Sequence, residues 1–136
     1  MSPPSHWLYP SSFPLDCLCI GTGRFLRAVL VPILVEGGYH PILVQPRGRS
    51  FLEFMHESSG HTYPVDTVLP DGSIQTDQVP CFGAFSWGQP SDRVAFNEWM
   101  TNQDDWQHLR VIGVGVTEAG LASHNTPVMK HLARFF

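Results

Sequence analysis

The stretch CIGTGRFLRAVLVPIL, residues 19–34, does most to narrow what this chain folds into. Leu15 to Ile20 reads as a short buried strand that ends on Gly21-Thr22-Gly23. Helical spacing begins near Gly23 or Arg24 and is expected to stop at the Gly37-Gly38 pair, with Pro32 predicting a kink or a restart on the way. Pro41 to Val44 is a second continuous apolar strand. Strand, glycine turn, helix and strand form a βαβ unit, which pairs its strands in parallel and lays the helix across one face.

The remaining chain adds to that unit. Alternation on both sides of Pro70-Asp71-Gly72, within residues 61–82, predicts an antiparallel hairpin. Ser91 to Met100 has apolar residues at helical spacing, with Ser91 or Asp92 as its expected cap. Arg110 to Val116 reads as another short strand, residues 117–125 as a loop and Pro127 to Phe136 as a final helix. Asp104-Asp105 is expected to cap a short helix. The economical arrangement is α/β: a parallel sheet with helices packed on it and a β-hairpin insertion. Residues 1–14, with four prolines and four serines, are expected to be an irregular lead-in to a single domain over residues 15–136.

Composition excludes several functions. A net charge of −4, with most Lys and Arg scattered, offers no general attraction to nucleic acid or to an anionic membrane. The N-terminal residues lack a basic segment followed by an apolar one, so no secretory signal is read there. The longest apolar run, Phe25 to Val35, is interrupted and too short to span a bilayer. Cys17, Cys19 and Cys81 read as reduced core thiols, and the expected location is the cytoplasm. His56-Glu57 and His61 do not share the one-turn spacing of a helical zinc site, and Cys81 has no evident His or Asn partner for nucleophilic work.

What remains is the glycine turn. Gly-x-Gly between a strand and a helix lets a backbone approach a pyrophosphate, yet tight strand-to-helix turns also use glycine for steric reasons alone. Leu26 stands where the usual third glycine would be. Arg24 and Arg27 oppose the helix dipole unless an anion lies beside them. At the end of the second strand, Gln45-Pro46-Arg47-Gly48-Arg49 carries no acid to accept a ribose hydroxyl, so NAD and NADP both stay open. The polar turn at Thr117 to Gly120 follows a strand directly and is either a ligand-facing edge or a plain turn.

Three segments in this order, IGTGRFLRA (20–28), ILVQPR (42–47) and VGVTEAGLA (114–122), resemble the N-terminal domain of the mannitol dehydrogenase family, the long-chain polyol and uronate dehydrogenases. The likeness runs from about Leu15 to Leu121 and most resembles the tagaturonate/fructuronate reductase branch. It implies a Rossmann-type domain whose Gly21, Thr22, Gly23, Arg24, Phe25 and Arg27 hold the pyrophosphate of NAD, with NADP as the alternative. It also implies Gln45, Pro46 and Arg47 at the adenosine end and Thr117 and Glu118 near the nicotinamide. Family members carry their catalytic lysine, with Asn and His partners, in a helical C-terminal domain. The sole lysine here, Lys130, lacks the K-x-x-x-x-N-x-x-H setting, so no catalytic residue is assigned. The expectation is a cofactor-binding half that meets a polyol or sugar acid only with that second domain. The alternatives are a stand-alone, non-catalytic nucleotide-binding or interaction module and, less well matched, a methyltransferase-like nucleotide fold.

Overall fold

The sheet is organised about β2 (Cys17–Ile20), whose four residues are fully buried because neighbours cover both faces and both edges. The computed structural model describes residues 6–10, 13, 16–21, 23–58, 60–101 and 109–115. β2 pairs in parallel with β3 (Pro41–Gln45) on one side and with β7 (Val111–Val114) on the other. β6 (Gly83–Ser86) continues the parallel run beyond β3. Among these parallel strands the spatial order is third, second, first, fourth, the order found in doubly wound α/β sheets.

The irregular lead-in expected at the N-terminus is corrected in part. His6–Leu8 forms β1, which pairs antiparallel to β6 and covers its outer edge. Three alternating residues sufficed because the partner strand, not propensity, defines so short an edge. The predicted hairpin is present as β4 (Thr62–Val68) and β5 (Ile74–Pro80), a separate antiparallel pair in register from Thr62 opposite Pro80 to Val68 opposite Ile74. Its turn is closed by the Leu69 amide donating to the Ser73 carbonyl, and the Asp71 carboxylate accepts from the Ser73 amide and hydroxyl.

The first helix begins at Arg24 and meets the expectation raised by Pro32 in a particular way. Leu26–Leu30 is a π-helical turn leading into α1 (Val31–Glu36), and the Val31 amide reaches back to the Leu26 carbonyl. Proline cannot donate to the residue four before it, so the wider turn absorbs the lost bond and the helix restarts. It ends in a glycine cap: Gly38 has φ +91°, the Tyr39 amide donates to the Leu34 carbonyl, and the Gly38 amide to the Val35 carbonyl.

Two elements escaped the sequence reading, α2 (Ser50–Glu57) and β6. α3 (Pro90–Thr101) matches the predicted helix, but Asp92 is not its cap; it is buried against Arg49. The predicted final helix, the Asp104-Asp105 cap and Lys130 lie outside the described residues.

Strand alternation sorts the core into two layers. Cys17, Cys19, Leu43 and Ala84 face Leu26 and Val31 of the first helix, Phe51, Leu52 and Met55 of α2, and Tyr63 and Val79 of the hairpin. Leu18, Ile20, Ile42, Val44 and Phe85 face Phe96 and Met100 of α3. The amino ends of three strands are joined by Asp16, whose carboxylate accepts from the His40 amide and ring Nδ1, both at 2.9 Å. Its carbonyl accepts from Arg110 and Val111. Among the described residues no helix is long and apolar enough to cross a membrane.

All three thiols are free and buried, as the sequence suggested, with the sulfurs of Cys17 and Cys19 3.9 Å apart. Burial pushes the Cys81 thiol up to about 12, and the hydrogen bond with Cys19, together with burial, raises that of Cys17. Because all three sulfurs are shut away from solvent, iodoacetamide at mildly alkaline pH is expected to leave all three cysteines unmodified in the folded chain and to label each once urea unfolds it, read by intact mass. Rapid labelling of the native chain would contradict this core.

Candidate functional site

Strand order reverses between β2 and β7, and open α/β sheets bind ligands at the carboxyl ends of the strands beside such a reversal. The glycine turn stands at the carboxyl end of β2. The Gly21 amide donates to the Val44 carbonyl and the Gly115 amide to the Ile20 carbonyl, each at 2.8 Å. Gly21 has φ +123°, and a Cβ there would lie 2.3 Å from the Gly115 carbonyl oxygen. Both conditions exclude any other residue without rearrangement.

Leu26, the departure from the usual three-glycine pattern, is fully buried, and its room comes from the facing strand. A Cβ on Gly115 would sit 2.8 Å from Leu26 Cδ1, and one on Gly113 2.9 Å from Leu30 Cδ2. The close helix-to-strand approach that a third glycine supplies on the helix is thus supplied by Gly113 on β7 and Gly115 just beyond its end. Gly23 differs from Gly21: it is exposed, and a Cβ would meet nothing within 4 Å. Its carbonyl accepts the Arg27 amide and so opens the helix. Arg24 and Phe25 follow at the surface, Phe25 with 66% of its area exposed.

Arg27 turns the other way. Its guanidinium carbon lies 5.6 Å from the centre of the Phe51 ring, and its Nε is buried without a hydrogen-bond partner among the described residues. Its carbonyl accepts the Tyr63 hydroxyl at 2.8 Å, and burial raises the Tyr63 phenol above its ordinary range. Between helix and hairpin runs a cleft of about 250 Å³ lined by Arg24, Arg27, Ala28 and Tyr63 through Asp66. Two guanidinium groups facing one carboxylate leave this cleft suited to an anion.

Beyond β3 the structure separates residues that the sequence grouped. Gln45 is buried: its Oε1 accepts the Phe51 amide at 3.0 Å and its Nε2 donates to Ser50 Oγ at 3.1 Å, so it caps the start of α2. Arg47 is exposed. Arg49 reaches inward, its Nε 3.1 Å from Asp92 Oδ2, at a carboxylate with 1% of its side-chain area exposed.

Gly21, Gly23, Arg24, Phe25 and Arg27 therefore gather at one sheet edge, with Gln45 and Arg47 at the end of the neighbouring strand. Thr22, Thr117 and Glu118 lie outside the described residues. Sequence reasoning did not find Gly113, Gly115, Tyr63 or Asp92 as parts of this edge. The G-V-G spacing at 113–115 was the available signal for the first two, since alternate glycines on a strand put two bare positions on one face. Comparison with protein-family models, with curated proteins and with solved structures gave no match.

Gly21→Ala is expected to cost about 3 kcal/mol, the sum of left-handed strain and a backbone clash. Gly23→Ala should change stability by less than about 1 kcal/mol. Urea denaturation of both variants checks the contrast; equal losses would show that the turn is not built as described.

Proposed function

We propose that this chain binds a nicotinamide dinucleotide, NAD(H) or NADP(H), across the carboxyl edge of its sheet, with the pyrophosphate at the Gly21–Arg27 turn. The observation that carries the reading is the coincidence of a glycine turn, forced by φ and by the Gly115 contact, with the reversal of strand order beside β2. Turns of this kind expose backbone amides at a helix start, and open α/β sheets bind ligands at that reversal. The exposed Arg24 at the helix start fits an anionic group there. The resemblance of residues 20–28, 42–47 and 114–122 to the mannitol dehydrogenase family supports the same cofactor.

A bound nicotinamide supplies hydride transfer to or from a carbon bearing oxygen. This domain's residues bind and orient. Gly23 leaves the space over which phosphate oxygens approach, Arg24 opposes their charge, and the family resemblance assigns Arg27 to the same phosphates and Thr117 and Glu118 to the nicotinamide end. By the family resemblance the substrate is a secondary alcohol or ketone of a polyol or sugar acid, of the mannitol/fructose or tagaturonate/fructuronate type. The proton-transferring lysine belongs to a partner domain, because Lys130 lacks the required setting. A cytoplasmic setting accords with the reduced thiols.

A second reading, a non-catalytic nucleotide-binding or interaction module, draws on Phe25, Val29 and Ile33. They are 66%, 43% and 60% exposed and recur every four residues along the first helix. The first reading requires dinucleotide binding, the second either that or partner binding through this face, and both require no turnover of mannitol, fructose, tagaturonate or fructuronate by these 136 residues alone.

Gly23→Val tests dinucleotide binding at the turn. Because a Cβ has open space there, the variant should melt close to the parent, while NADH and NADPH affinity, read by fluorescence titration, should fall by about tenfold or more. Undiminished affinity in a folded variant would sink the assignment.

A further inference from the structure

Dinucleotide domains that take NAD hold the adenosine ribose with an acidic side chain at the end of the second strand, where the same carboxylate would repel a 2′-phosphate. Residues 45–50 here read Gln-Pro-Arg-Gly-Arg-Ser, with no acid. The first acid along the chain, Glu53, lies one turn into α2. Gln45 offers little in place of an acid. Both ends of its amide are bonded to the start of α2, to the Phe51 amide and Ser50 Oγ, and only 9% of the residue is exposed.

The two arginines of this loop have been given different tasks. Arg49 is matched by the buried Asp92 carboxylate at 3.1 Å. Arg47 is exposed, and its side chain has no hydrogen bond or ion pair among the described residues. Its backbone nevertheless sits between fixed points. The Trp87 amide donates to the Gln45 carbonyl, and Ser86 Oγ donates to the Gly48 carbonyl, each at 2.8 Å. Gly88 approaches so closely that a Cβ on it would lie 2.9 Å from the Gly48 nitrogen. A pinned turn thus presents one unmatched guanidinium at the strand end. Arg24 and Arg47 are exposed at this edge, although the net charge of the chain is −4.

Resting on the dinucleotide reading above, we infer that the chain selects the 2′-phosphorylated cofactor, NADP(H), over NAD(H), and that Arg47 is the residue that discriminates. A guanidinium offers a phosphate two parallel donors, and the unmodified ribose of NAD(H) gives it no charge to meet.

The test is a fluorescence titration of the full chain with NADPH and with NADH, repeated on Arg47→Ala and Glu53→Gln. NADPH should bind about tenfold or more tightly than NADH, and Arg47→Ala should erase that ratio while moving NADH affinity by no more than about twofold. Glu53→Gln should leave the ratio as in the parent. NADH binding as tightly as NADPH, or a preference that survives Arg47→Ala, would overturn this inference and leave dinucleotide binding standing. Failure of both cofactors to bind would overturn the dinucleotide reading and this inference with it.

Discussion

The contact between Gly21 and Gly115 is the constraint on which the rest of the carboxyl edge depends. Two strand ends meet so closely that neither carries a side chain toward the other. That closeness lets Leu26 seat against β7 with no exposed area, which draws the first helix down onto the sheet. The helix start is thereby held at the carboxyl end of β2. A glycine turn on a more distant helix would have the same sequence and would aim its amides elsewhere. Position, not composition, makes the turn a candidate phosphate cradle.

The second strand end is held by polar anchors. Gln45 caps α2 from within, Ser86 and Trp87 bond the loop backbone from β6, and Asp92 on α3 compensates Arg49. Each anchor comes from a different element, so the loop between β3 and α2 inherits the rigidity of the whole sheet. Buried polar groups are costly unless matched, and here the matching fixes a surface loop. The hairpin does comparable work beside the first helix: Tyr63 bonds the Arg27 carbonyl and packs edge-on against Phe51, walling one side of the arginine-lined cleft.

Much of this was legible in the residues. The βαβ opening, the hairpin with its Pro70-Asp71-Gly72 turn, the helix over 91–100 and the strand near 111–114 all announce themselves through period and turn chemistry. The missed elements share a cause. β6, Gly-Ala-Phe-Ser, has neither alternation nor β-branched residues, and it is a strand because β3 and β1 flank it. α2 starts without a side-chain cap of its own; the cap arrives from Gln45, five residues before its first turn begins. Asp92 looks like a helix cap in sequence and becomes an ion-pair partner because Arg49, more than forty residues away, is brought beneath it.

By itself the sequence determined the class of fold and the chemistry on offer. Short buried strands, a glycine turn before a helix and paired arginines follow from local periodicity and the steric freedom of glycine, which need no distant partner. Tertiary structure alone decided which groups share an edge and which remain available there. It set β7 beside β2 so that Gly113 and Gly115 replace the missing third glycine, withdrew Gln45 and Arg49 into the protein, and left Arg47 facing outward. The physical reason is that availability depends on compensation: a polar side chain can meet a ligand only where the fold has not already supplied its partner.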